Sequence, residues 1–262
     1  MQPELDLGPV TLQTFGICFA FGFLGAGALL GRRFVELDKP VDWAYEMIFA
    51  GLIGGLIGSR LDFLIQNYDS VSDDLVGALF SGSGLVWFGG VVGGAAGVML
   101  WARWRGFLER RLFDVAAPAV ALGYAIGRVG CQLSGDGDYG RPTDMPWGMA
   151  YPDGAVPTTD IVHPTPIYET LAMGLGAWAL WVARDMFRPG VLFGFYLVLV
   201  GAERFLVEFL RRNEPVLAGL TEAQLASLLC LAAGAFVLVR AARSGGLRAE
   251  ESAPAAAQPA VA

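Results

Sequence analysis

Seven stretches of mostly apolar sequence, near 9–30, 44–66, 84–102, 112–133, 166–183, 190–210 and 222–241, dominate this chain. A helix needs about 20 apolar residues to cross the hydrocarbon core of a bilayer. Backbone groups exposed to lipid must also bond to one another, which a helix achieves within a single segment. Each stretch is therefore expected to be a transmembrane helix. The fourth and sixth are the least pure, because charged residues interrupt their ends. Only 16% of the 262 residues are charged, against about a quarter in soluble domains. Many of the 36 glycines fall inside the apolar runs, where they let helix backbones approach closely in lipid. The expected fold is an all-α membrane protein of seven transmembrane helices, with a small periplasmic head between helices 4 and 5.

The basic residues orient this bundle. Arg32, Arg33, Lys39, Arg103, Arg105, Arg110, Arg111, Arg184, Arg188, Arg240, Arg243 and Arg248 make 12 of the 18, and all follow odd-numbered helices. The cytoplasmic excess of positive charge then places the N-terminus in the periplasm and the C-terminus in the cytoplasm of a bacterial inner membrane. No basic n-region or small-residue cleavage site precedes the first run, which reads as a retained helix. Residues 67–83 form an acidic connecting loop, and 134–165 a Gly-, Asp- and Pro-rich periplasmic excursion too long to be only a turn. Residues 1–243 are expected to form one membrane domain, and 244–262 a low-complexity, disordered tail. Cys18, Cys131 and Cys230 have no paired spacing, and a single histidine, His163, makes no zinc or haem site. The net charge of −7 does not suit a nucleic-acid binder.

Three arginines, Arg60, Arg128 and Arg204, lie inside the apolar stretches. Each costs roughly 2.5–3.5 kcal/mol at a helix centre unless paired or facing water. Arg60 could pair with Asp62 or Glu46, and Arg204 with Glu203 or Glu208. Alternatively, Arg128 and Arg204, near the outer helix ends, clamp an anionic group such as a lipid phosphate, whose oxygens match the guanidinium fork. Arg128 opens the string Gly127-Arg-Val-Gly-Cys131-Gln-Leu-Ser-Gly-Asp136-Gly-Asp138-Tyr139-Gly-Arg141. Three residues apart, Arg128 and Cys131 share a helix face; Cys131 reads either as apolar filler or as part of the chemistry. His163-Pro-Thr-Pro-Ile-Tyr168-Glu169 enters the fifth helix and places Glu169 just inside the bilayer, where it needs a partner. Arg204 and Glu208 are four apart on one face, so Glu208 either neutralises Arg204 or holds it for a ligand. Arg211 and Arg212 follow at the boundary.

Taken in order, these pieces resemble the prolipoprotein diacylglyceryl transferase family of bacterial membrane enzymes, over about residues 9–240. Gly-Ser-Arg60, Phe88-Gly-Gly, Gly127-Arg-Val-Gly, Tyr139-Gly-Arg141-Pro-Thr, the His163–Glu169 stretch, Arg204-Phe-Leu-Val-Glu208 and Gln224 carry the resemblance. It implies a seven-helix fold and a reaction in which the thiol of a lipobox cysteine attacks the glyceryl carbon of phosphatidylglycerol, forming a thioether. Arg128 and Arg204 would hold the lipid phosphate and Glu208 would orient Arg204. Arg60, Cys131, Asp136, Asp138, Tyr139, Arg141, His163, Tyr168 and Glu169 are the candidate substrate-binding residues. The implied partners are phosphatidylglycerol, a prolipoprotein signal peptide and the membrane; no metal or organic cofactor is implied. Three positions depart from the family pattern: Phe15 stands for a tyrosine, Phe88 for a histidine and Cys131 for an asparagine. Without the histidine, Asp136, Asp138 or His163 is left to accept the thiol proton. Two other readings stay open, a related enzyme with another acceptor and a non-catalytic lipid-binding protein.

Overall fold

The computed structural model describes residues 1–6, 8–9, 11–68 and 86–249. Seven α-helices appear among them: α1 Thr14–Glu36, α2 Asp42–Gln66, α3 Trp87–Trp104, α4 Arg110–Ser134, α5 Thr165–Val182, α6 Val191–Glu208 and α7 Glu222–Arg243. Each overlaps one of the seven apolar stretches. By length and composition, four of them (α1, α2, α4 and α7) are able to cross a membrane. Of the two least pure stretches, the fourth thus qualifies and the sixth does not. The helices α3, α5 and α6 have 18 residues each, about 27 Å at 1.5 Å per residue, slightly short of a ~30 Å core. Most of the acidic 67–83 segment lies outside the described residues. So does the tail beyond 249, although Arg188 N–H donates to the Leu247 carbonyl (3.0 Å) and Ala249 N–H to that of Met186 (3.1 Å).

Among the described residues, four short strands accompany the helices: β1 Glu4–Asp6 with β2 Thr11–Gln13, and β3 Met149–Tyr151 with β4 Thr158–Val162, both pairs antiparallel. The all-α expectation omits them, because three to five residues carry too little alternation to be read as strands. The chain divides into two compact units, Phe23–Leu112, and Met1–Gly22 together with the chain from Phe113 onward.

In the Phe23–Leu112 unit, α2 and α3 pack backbone to backbone. A methyl group on Gly58 would strike the Gly89 carbonyl, one on Gly93 the Gly54 carbonyl, and one on Gly97 the Ala50 carbonyl. Only glycine permits that approach. Asp62 seals one end by accepting from Gly89 N–H (2.9 Å), and Ser59 donates to the Val86 carbonyl (2.8 Å). The ring of Phe34 meets those of Trp43, Trp101 and Phe107 at centroid distances of 5.9, 6.2 and 5.8 Å. Glu46 accepts from Trp101 Nε1 (2.8 Å) and from Arg105. Arg60 is buried, with its guanidinium 5.8 Å from the Phe63 ring. Asp62 also accepts from Gln66 Nε2 (3.1 Å).

In the other unit, α4, α5 and α6 close over a core of Ala121, Ala125, Met173, Ala177, Leu180 and Leu192. Asp114 of α4 caps the start of α6, accepting from Gly190 N–H (2.5 Å) and Phe193 N–H (2.8 Å). Such a cap satisfies donors that have no partner within the helix. A reciprocal capping box starts α7: Thr221 Oγ1 accepts from Gln224 N–H (3.2 Å), and Gln224 Oε1 from Thr221 N–H (3.1 Å).

Candidate active site

Three separate strings of sequence meet at the ends of α4, α5 and α6. Gly135 and Gly137, at φ +60° and +95°, turn the chain as it leaves α4 through backbone conformations that favour glycine. The next residues are pinned in place. Thr165 Oγ1 donates to the Asp138 carbonyl (2.5 Å), and Gly140 N–H to that of His163 (2.8 Å). Arg141 N–H donates to the Leu210 carbonyl (2.7 Å) and its Nε to that of Arg211 (3.0 Å). A β-carbon at Gly140 would run into the Leu210 carbonyl and His163. This lattice ties the 127–141 string to both the His163–Glu169 and the Arg204–Arg212 segments.

Glu169 lies at the centre, with its side chain wholly buried. Its Oε1 accepts from Arg204 Nη1 and from the Tyr124 hydroxyl, both at 3.0 Å. Its Oε2 lies 3.3 Å from Arg128 Nε and 3.7 Å from Arg211 Nη1. Arg128 and Arg204 thus point toward one shared carboxylate, and Arg211 joins them. Asp138 bridges the cluster from outside: one of its oxygens accepts from Arg128 and the other from Arg211. Glu208 Oε2 sits 2.8 Å from Arg204 Nη2, while Oε1 accepts from Asn213 (2.7 Å) and Thr221 (2.8 Å). Glu208 therefore holds Arg204 in the orientation that the i, i+4 spacing suggests, and the α7 cap in turn holds Glu208. The side chains of Asp138 and Arg204 are 30% and 22% exposed, against 0% for Glu169 and Glu208. An incoming ligand therefore meets the Asp138 and Arg204 edge first.

The two aspartates differ in chemistry. Burial alone would raise the Asp138 carboxyl, but Arg128 and Arg211 beside it hold it down at about 2. Asp136 is raised above the ordinary carboxylate value, first by burial and then by the charge of Asp138. Cys131 shares the α4 face with Arg128, whose Nη1 is 3.7 Å from Sγ. Ligand atoms of Cys131, Asp136 and Asp138 lie within 4.8 Å of one another, close enough to hold a cation. The Arg128 guanidinium, against both Asp138 and Sγ, already supplies positive charge there.

The remaining candidates lie around this cluster. Tyr139 is buried, stacked on Tyr151 at 4.7 Å, with its hydroxyl donated to the Val156 carbonyl (2.9 Å) and Arg212 4.3 Å from its ring. His163 Nδ1 lies 3.2 Å from the Tyr168 hydroxyl, which accepts from Trp147 Nε1 at 2.7 Å. Arg60 belongs to the Phe23–Leu112 unit. Arg211, Tyr124, Asn213 and Thr221 join the site without having been singled out. Arg211 continues the face of Arg204 and Glu208 at i+7, a spacing that its place beyond the apolar run conceals.

A family model for prolipoprotein diacylglyceryl transferases matches residues 4–240. Among curated relatives, the phosphatidylglycerol–prolipoprotein diacylglyceryl transferase of Clostridium tetani is 32% identical over 241 residues, covering 90% of this chain and 96% of the relative. The proteins of the same name from Dehalococcoides mccartyi and Photobacterium profundum are each 33% identical. Their alignments cover 87% and 80% of this chain, and 88% and 80% of the relatives.

Proposed function

This chain belongs to the prolipoprotein diacylglyceryl transferase family, and we propose that it transfers the diacylglyceryl group of phosphatidylglycerol to the lipobox cysteine thiol of prolipoproteins. The observation that carries this reading is the convergence of Arg128, Arg204 and Arg211 on the buried Glu169. Guanidinium charge gathered at such a place suits a phospholipid headgroup, whose phosphate oxygens match the guanidinium fork.

In this reaction the thiol sulfur attacks the glyceryl carbon, the carbon–oxygen bond breaks, and its electron pair leaves with the phosphate as glycerol phosphate. Negative charge on the phosphate grows along that path. Fixed guanidiniums therefore bind the transition state more tightly than the lipid itself, which is what accelerates a reaction. Asp138 bridges Arg128 and Arg211 as two phosphate oxygens would, so the arriving headgroup competes with it for both. Because Asp138 is so acidic, it is a poor proton acceptor. Asp136, raised and beside Cys131, is the stronger base for the thiol proton, since proton transfer is most efficient when the base titrates near the working pH.

The full topology belongs to the same proposal: seven spans in the inner membrane, N-terminus periplasmic, C-terminus cytoplasmic, with 134–165 as the periplasmic head. The bias of 12 of 18 basic residues toward one side supports it. Phosphatidylglycerol and the prolipoprotein signal peptide are the substrates. In proteoliposomes with phosphatidylglycerol and a lipobox peptide, Arg128→Ala and Arg204→Ala are each expected to cut thioether product by roughly 10³-fold. Unchanged product from both variants would defeat the clamp.

A further inference from the structure

Glu203 is the carboxylate of this cluster that no donor reaches among the described residues. Both of its oxygens are buried without a hydrogen bond. Arg128, Arg204, Arg211 and Glu169 act on it through space, as it acts on Tyr124, yet the guanidinium N–H groups point elsewhere. Arg204 gives its contacts to Glu169 and Glu208, Arg211 to Asp138, Glu169 and Glu208, and Arg128 to Asp138 and Glu169.

Burying an ionised carboxylate with no donor costs far more than burying the neutral acid. The cluster also has no need of Glu203's charge: three guanidiniums already face the carboxylates of Asp138, Glu169 and Glu208. An ionised Glu203 would add repulsion where an anionic headgroup must enter. We propose that Glu203 carries a proton in the resting site and delivers it to the phosphate as that group leaves. This rests on the transferase reading above.

The step balances. The thiol proton passes to Asp136, the carbon–sulfur bond forms, and the carbon–oxygen bond breaks with its electron pair going to the phosphate oxygen. Glu203 supplies the proton that this oxygen takes, and Asp136 later returns an equivalent proton through solvent. In sum, the thiol's proton ends on glycerol phosphate, and no oxidant or reductant takes part. The groups facing Glu203 are Tyr124 and Arg128 of α4, Glu169 of α5, Arg204 of its own helix, and Arg211. None of these is a carboxylic acid left without a donor, so none duplicates its role.

The test uses the full chain in phosphatidylglycerol proteoliposomes with a lipobox peptide. Glu203→Gln keeps shape and neutrality but cannot give up a proton, so kcat is expected to fall about 10²-fold, in line with general acid catalysis. The KM for phosphatidylglycerol should stay within about twofold, and the alkaline limb of the pH profile should flatten. A structural role would not produce that split. Infrared spectroscopy of the wild-type protein should also find a protonated-carboxyl stretch at neutral pH that vanishes in Glu203→Gln and shifts in Glu203→Asp. This second readout holds even where one variant folds poorly. A Glu203→Gln enzyme with kcat within about twofold of wild type, or a wild type without that stretch, overturns the proposal. Wild-type protein that makes no thioether at all would instead defeat the transferase reading.

Discussion

Along α2 and α3 the chain brings two helices together with no side chain between them, whereas at the ends of α4, α5 and α6 it sets charge against charge. In the first region Gly54, Gly58, Gly89, Gly93 and Gly97 remove side chains so that backbone meets backbone. The contact is held by van der Waals packing along its length, with polar contacts toward its ends: Asp62 on Gly89 N–H, Ser59 on the Val86 carbonyl and Glu46 on Trp101 Nε1. In the second region Arg128, Arg204 and Arg211 share Glu169, Asp138 and Glu208. Packing of the first kind is the ordinary way for helices to associate in lipid. The second kind is expensive there, because every charge must be matched. A chain needs the seam in order to fold, but it needs the charged cluster only for a task that the seam cannot perform.

Variants that separate folding from chemistry sharpen this contrast. The largest effect is expected at the seam. Gly93→Leu drives a side chain into the Gly54 carbonyl, and overpacking of this kind costs about 1–3 kcal/mol or more. Folded, monodisperse protein in detergent should be largely lost, together with activity, as size-exclusion and thermal-aggregation measurements would read. In the cluster the loss should fall on rate alone. Asp136→Asn is expected to slow transfer by about 10²-fold with little change in melting temperature. The sign of its pH dependence follows from the raised carboxyl. A base acts when ionised, so wild-type activity should fall as pH drops through a value raised above that of an ordinary aspartate, and Asp136→Asn should lack that acid limb. Asp138, held at about 2, behaves in the opposite way. Its stabilising contribution is complete above its ordinary value near 3.8 and is lost only as pH falls through about 2. The smallest effect is expected at Thr221, where helix capping and the site meet. Thr221→Ala removes the α7 cap and one of the donors to Glu208, costing about 0.5–2 kcal/mol of stability. A modest loss of rate, through a loosened Arg204, should go with it.

Much of this was legible in the sequence, for physical reasons that differ from residue to residue. The apolar runs located all seven helices of the described residues, because a bilayer leaves few other ways to satisfy a backbone. The spacings of Arg128 with Cys131, and of Arg204 with Glu208, fixed which side chains share a face. The partner that Glu169 needed proved to be Arg128 and Arg204 together, a long-range meeting that no local spacing encodes. Arg211 was hidden by lying past the end of α6, although its amide still bonds to the Glu208 carbonyl (3.1 Å) and continues the turn. The bridging of Arg128 and Arg211 by Asp138 depends on Thr165 holding the Asp138 carbonyl from another segment. The strands of the 134–165 excursion were too short to leave a pattern.

Lipid binding tests the guanidinium grip most directly, because it reads the headgroup contact without any chemistry. Native mass spectrometry of the purified protein, reconstituted with equal phosphatidylglycerol and phosphatidylcholine, should find phosphatidylglycerol selectively retained by the wild type. That preference should disappear in the Arg128→Ala/Arg204→Ala double variant. Equal retention of phosphatidylglycerol by both proteins would contradict a cluster built to hold an anionic headgroup, and would leave its charges with no task beyond balancing one another.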